Sequence, residues 1–116
     1  MPPERDPQIR ADDVLRGIAN IEADTAGLDF EGFVADRRVR QLVERNLEII
    51  SEASRRIPDR LKATEPDVPW REIAGIGNVL RHDYGEVQPE ILWGVCAHRL
   101  AALKAAVQRI RARLGG

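Results

Sequence analysis

Arg40-Gln41-Leu42-Val43-Glu44-Arg45-Asn46-Leu47-Glu48-Ile49-Ile50-Ser51-Glu52-Ala53 is the stretch that assigns this chain to a fold class. Leu42, Val43, Asn46, Leu47, Ile49, Ile50 and Ala53 recur at the three- and four-residue spacing of one helical face, the longest apolar stripe in the sequence. Upstream lies the charged passage Asp36-Arg37-Arg38-Val39-Arg40, and before it Phe30, Phe33 and Val34 open the helix behind Asp29, an expected N-cap. Downstream, Pro58 stops it. The expectation is one continuous helix from about Phe30 to Ile57. That exceeds the usual globular length and suggests packing along a bundle or across a dimer.

Further towards the N-terminus, Met1 to Asp6 reads as a flexible arm. Asp6 is a plausible cap and Pro7 suits the first turn of a helix running to about Ala26. Leu15, Ile18, Ala19, Ile21 and Ala26 form its expected buried side, and Gly27 ends it. Towards the C-terminus, Asp59 to Pro69 reads as a loop with one turn around Leu61. Trp70 to Leu80 reads as a short helix, and Glu86 to Gln88 links it to a last helix that starts near Pro89. There Leu92, Val95, Cys96, Leu103, Val107, Ile110 and Leu114 follow a period near that of a helix, before a frayed Gly115-Gly116. No alternation of apolar and polar residues marks a strand, and no repeat or linker divides the chain. The expected architecture is all-α, a four- to five-helix up-and-down bundle in a single domain over residues 1–116.

Composition narrows the function. The chain has 116 residues with 18 basic and 19 acidic side chains, a net charge of −1. The molecule as a whole is not an electrostatic nucleic-acid binder, so any RNA contact has to come from a local patch. Lys62 and Lys104 are the lysines and the other basic residues are arginines, which suit phosphate forks and carboxylate pairs alike. Arg37, Arg40 and Arg45 are either a solvated face or a basic wall towards a partner's groove. The single cysteine, Cys96, gives no disulfide framework and reads as a small core residue. The start is short, proline-rich and charged rather than a signal peptide, and no apolar run reaches the roughly 18 residues of a membrane span. The expectation is a soluble cytoplasmic protein.

The chemistry concentrates in Gly75-Ile76-Gly77-Asn78-Val79-Leu80-Arg81-His82-Asp83-Tyr84-Gly85. On a helix Asn78 and His82 stand one turn apart on one face, and Arg81 borders it. Gly85 suits a C-terminal cap, which puts His82 in the last turn. The negative end of the helix dipole and the adjacent Asp83 both favour imidazolium and keep the ring titratable near neutral pH. A small acid–base site fits this cluster; so does a histidine that only caps carbonyls. Gly75 and Gly77 weaken the helix and are expected where another helix or a ligand comes close. Because they lie inside a helical pattern rather than after a strand, they are not a phosphate-loop or dinucleotide signature. His98 has no partners at zinc spacing, so no metal site is expected. Ser51 and Ser54 lie mid-helix without a histidine nearby in sequence, which gives a hydrolase triad no support. The aromatics are too few for a base-stacking platform.

Trp70-Arg71-Glu72-Ile73-Ala74-Gly75, then Asn78-Val79-Leu80-Arg81-His82-Asp83-Tyr84 and the downstream Trp93, resemble the HepT-like ribonucleases, a branch of the HEPN superfamily of small all-α domains. Asn46 to Ala53 and the arginine-rich passage before it resemble that family's long helix. The likeness runs from about Gln8 to Leu114. It implies a homodimer whose paired helices line a positive cleft and cleave RNA, tRNA or mRNA, with neither metal nor cofactor. Many members are toxins encoded beside a minimal nucleotidyltransferase antitoxin, which silences them by transferring adenylate to a tyrosine; toxin and antitoxin can form a larger complex. The family motif is an arginine, four to six residues, a histidine, one residue and that tyrosine. His82 matches the histidine, Tyr84 the tyrosine and Asn78 the residue after the arginine. At the arginine's own position this chain has Gly77, and Arg81 is the expected partial substitute. The resemblance implies an endoribonuclease in which His82 is the general base, Arg81 stabilises the phosphorane and Asn78 orients them. Gly77 leaves a second reading open, a catalytically weakened dimer that serves a nucleotidyltransferase as docking or nucleotide-binding partner.

Overall fold

The computed structural model describes residues 5–82 and 88–115, the side chains of Arg81 and His82 excepted. These residues form seven helices and no strand. They are α1 (Arg5–Thr25), α2 (Phe30–Ala35), α3 (Arg37–Arg55), α4 (Asp59–Lys62), α5 (Trp70–His82), α6 (Pro89–His98) and α7 (Leu100–Arg113). The all-α expectation holds, with more breaks than the periodicity shows. Tyr84, Asp83 and Gly85 lie outside the described residues.

α1 begins earlier than expected, so Asp6 does not cap it. Asp6 stands in the first turn and pairs with Arg10 one turn on, at 3.4 Å. The buried face is Ala11, Val14, Gly17, Ile18 and Ile21; Ala19 and Ala26 are exposed and Leu15 only half-buried. The reason is register. α1 packs between α3 and α7, and the 11–14–18–21 row points at both, while positions 15 and 19 lie further round the helix and Ala26 falls beyond its end. A Cβ at Gly17 would meet Ile50 Cγ1 at 2.8 Å, so the close crossing of α1 and α3 depends on that glycine. Gly27, at φ 78°, turns the chain out of α1 two residues after its end.

The expected helix from Phe30 to Ile57 is two helices. Asp36 leaves the helical region at φ −104° and ψ 87°, and its carboxylate accepts the Val39 N–H at 3.1 Å. Its own N–H still donates to Phe33 O, and the Arg40 guanidinium donates to the Val34 carbonyl. A short carboxylate that satisfies a free amide competes with helix continuation, so the chain stops and restarts at this aspartate. The length argument for a dimer therefore falls away. Asp29 does cap α2, accepting from Gly32 N at 2.8 Å. The turn around Leu61 is present as α4, and Pro58 precedes it in an extended conformation.

The last helix is also two. At Arg99 the backbone departs to φ −116°, and the break lets α6 pack on α2 and α3 while α7 packs on α1. Leu92, Leu100, Leu103, Val107 and Ile110 are buried, whereas Val95, Cys96 and Leu114 are half-buried.

α3 is the hub, touching α1, α2, α5 and α6. Val43, Leu47, Ile50 and Ala53 of α3 meet Val14, Ile18 and Ile21 of α1, Phe33 of α2, Ile73 of α5 and Leu92 of α6 in one core. Trp93 closes that core beside α2, with ring centroids 5.1 Å from Phe33 and 6.1 Å from Phe30. Among the described residues no helix is long and apolar enough to cross a membrane.

Candidate functional site

α5 is held at its start by Trp70. The indole N–H donates to the carbonyls of Lys62 and Glu65, at 3.2 and 3.1 Å, and so satisfies a half-buried polar group while tying α5 to the preceding loop. Glu65 locks that loop onto α7. Its Oε1 accepts from Arg109 Nε and Nη2, at 2.9 and 2.6 Å, and Arg113 lies 3.9 Å from Oε2. The hydrogen bond from Arg109 holds the Glu65 carboxyl below the usual carboxylate range against the opposing effect of burial. One face of α5, Ile73 with Ile76 and Leu80, packs into the core.

The other face carries the polar residues, and α3 sets it. Ser51, buried on α3, donates its hydroxyl to Ala74 O at 2.8 Å and accepts from Gly77 N at 3.1 Å. One hydroxyl thus satisfies two backbone groups of α5, and Gly77 is buried beneath it. Four residues further along α3, Arg55 reaches over the same carbonyl. Its Nε and Nη2 donate to Ala74 O at 3.3 and 3.2 Å, and Nη2 also donates to Asn78 Oδ1 at 3.2 Å. Asn78 is exposed, with its carbonyl end turned to Arg55. Its Nδ2 end therefore faces away from the guanidinium. His82 closes α5 one turn beyond Asn78 on the same helical face, about 6 Å along the axis.

The expected site residues distribute as follows. Asn78 and His82 share α5 and its polar face; Arg81 shares the helix, and Tyr84 lies outside the described residues. Arg37, Arg40 and Arg45 do not gather into a single group. Arg37 opens α3, Arg40 fastens the α2–α3 joint, and Arg45 lies 3.8 Å from Glu48 in a cleft beside Arg10 and Asp13 of α1. Ser51 and Arg55 belong to no motif of the histidine segment, yet they meet it. Their signal is the spacing of Leu47, Ser51 and Arg55, which places two polar groups on the α3 face that meets α5. The close approach expected at the glycines holds for Gly77, whereas a Cβ at Gly75 would meet nothing within 4 Å.

Burial pushes the Cys96 thiol up to about 11, so it is protonated at neutral pH and a poor nucleophile. Among the described residues no three His, Cys, Asp or Glu side chains are grouped to hold a metal ion. Beside the polar face, Leu47, Ile76, Val79, Leu80, Ile91, Leu92 and Val95 line an apolar depression, at whose rim Val79 and Ile91 are 51 % and 49 % exposed.

A family profile described as ribonuclease HepT-like matches residues 14–110. A protein of Thermococcus cleftensis named Probable ribonuclease HepT is 36 % identical over 100 residues, covering 86 % of this chain and 91 % of its own. A provisionally named RNase of Methanocaldococcus jannaschii is 32 % identical, covering 83 % of this chain and 88 % of its own. Another from Caldanaerobacter subterraneus subsp. tengcongensis is 36 % identical, covering 72 % and 75 %. No solved structure matches the chain significantly. With most of its length matched by the profile and by these relatives, the chain belongs to the ribonuclease HepT-like family.

Proposed function

We propose that this protein is a metal-independent endoribonuclease that works at the Asn78–His82 face of α5. The observation that carries the reading is the fixed amide of Asn78, held by Arg55 one turn before the histidine. In this mechanism His82 takes the proton from a ribose 2′-hydroxyl as that oxygen attacks the adjacent phosphorus. The P–O5′ bond breaks and the leaving oxygen takes a proton from water or from the His82 of a second copy. The products are a 2′,3′-cyclic phosphate and a 5′-hydroxyl, so DNA is inert. Asn78 orients the imidazole or the phosphate, and Arg81 stabilises negative charge on the phosphorane.

The reading extends to an assembly and a control. The protein acts as a homodimer in the cytoplasm, and the exposed Val79 and Ile91 beside the site support burial against a second copy. As a toxin it is paired with a minimal nucleotidyltransferase antitoxin that adenylylates Tyr84, two residues after His82 in sequence, and so blocks the site. Tyr84→Phe then abolishes labelling by that enzyme.

The test is to incubate total tRNA and mRNA, in EDTA, with unadenylylated wild type or His82→Ala and to map the product ends. Cleavage by wild type alone, with cyclic-phosphate ends, is expected; persistent cleavage by His82→Ala removes the proposal. Gly77 favours a second reading, since its place under Ser51 carries no cation. A folded dimer that is adenylylated on Tyr84 yet cleaves nothing would be a non-catalytic partner of the nucleotidyltransferase.

A further inference from the structure

Arg55 differs from most arginines described. Arg56 is paired with Glu52 at 3.1 Å, Arg99 with Glu72 at 2.9 Å, Arg109 with Glu65 and Arg111 with Asp12. Arg55 has no carboxylate partner among the described residues. Its two acceptors, Ala74 O and Asn78 Oδ1, are neutral, so they fix the guanidinium without neutralising it. They occupy Nε and Nη2 and leave the two N–H groups of Nη1 unengaged by described residues. The side chain is exposed. A cation is thus locked in orientation and open to solvent, with donors to spare, about one helical turn from the level of His82.

Resting on the ribonuclease reading, we propose that Arg55 is a further catalytic residue, whose Nη1 edge binds the non-bridging oxygens of the scissile phosphate beside His82. The Ala74 carbonyl and the Asn78 amide hold it in place before the substrate arrives. A cation already oriented towards developing charge stabilises the transition state without the reorganisation that water requires. With Nε and Nη2 held by α5, the planar guanidinium still presents the two N–H donors of Nη1 to the phosphate, whereas a lysine ammonium is a point charge without that second, anchored edge. α3 thereby supplies a positive group that position 77 of α5 does not.

The test compares Arg55→Ala and Arg55→Lys with Arg56→Ala, the neighbouring arginine that caps the C-terminus of α3 and is paired with Glu52. The single-turnover rate on total tRNA is expected to fall about 100-fold in Arg55→Ala, the scale of losing one oxyanion donor. Arg55→Lys should recover only part of it and Arg56→Ala should match wild type. Millimolar guanidinium chloride should partly rescue Arg55→Ala, a response that a purely structural role would not produce. If His82→Ala is inactive while Arg55→Ala cleaves within twofold of wild type, Arg55 merely joins α3 to α5 and the ribonuclease reading stands. If wild type cleaves nothing, binding of a fluorescein-labelled, fully 2′-O-methylated RNA decides. Weaker binding by Arg55→Ala than by Arg56→Ala keeps Arg55 as a phosphate ligand, and equal binding overturns the inference. Should Arg55→Ala fold poorly by circular dichroism, Arg55→Lys carries the comparison, and a wild-type rate in that variant with unchanged melting equally overturns it.

Discussion

Single side chains in this protein join helices that are distant in sequence, and at Glu65 the partner also displaces the titration. The hydrogen bond from Arg109 lowers its folded-state pKa, so the carboxylate binds fewer protons folded than unfolded near that value. Its stabilisation is complete above the ordinary glutamate pKa of about 4.3 and is lost as pH falls through the lowered value. Melting temperatures across that acidic range should fall more steeply for wild type than for Glu65→Gln, and equal slopes would show that the clasp adds nothing. Gly17 and Gly75 offer a contrast in sterics. Gly17→Ala gains helix propensity but forces Ile50 aside from 2.8 Å, and overpacking costs typically 1–3 kcal/mol. Gly75→Ala meets nothing and should gain up to about 1 kcal/mol of propensity. Urea titrations are expected to give opposite signs for the two. Both glycines are visible in the sequence, but only the neighbours decide which one a methyl group would injure.

Among the elements, α3 does the organising. It begins at Asp36 rather than inside a longer helix, because the carboxylate takes the Val39 amide that helix continuation would leave to the backbone. Asp36→Ala should therefore destabilise the protein by about 1 kcal/mol, the usual cost of a lost N-cap, with an unchanged denaturant slope. A stabilised Asp36→Ala would mean that the break is imposed by packing and not by the cap. The same helix carries Ser51 and Arg55 to α5 and so sets the polar face on which Asn78 stands. Asn78 and His82 are legible in sequence because one helical turn is a fixed spacing. Ser51 and Arg55 are not, because their partners lie 19 to 26 residues away and meet them only once α3 and α5 pack.

The whole molecule presents the site next to exposed apolar surface. Val79 follows Asn78 on α5, and Ile91 rises from α6 across a shallow apolar depression. If a second copy covers this rim, as the proposed dimer requires, Val79→Arg or Ile91→Asp should shift the protein from dimer to monomer in sedimentation equilibrium. Both should leave the helical circular dichroism unchanged and reduce cleavage with the loss of the dimer. A wild-type protein that sediments as a monomer throughout the micromolar range would remove the dimer from the proposal.

Periodicity suffices for the all-α class and for the one-turn spacing of Asn78 and His82, since both follow from the repeat of a helix, and the family is legible as a resemblance carried by the histidine segment. Tertiary packing decided the rest. It cut one expected helix at Asp36 and another at Arg99, chose which face of α1 is buried, and separated Arg45 from the α5 site. It also brought Arg55 over Ala74 and Asn78. A helix reports its own repeat in the sequence, but the direction it faces and the cation it meets depend on which other helix it packs against.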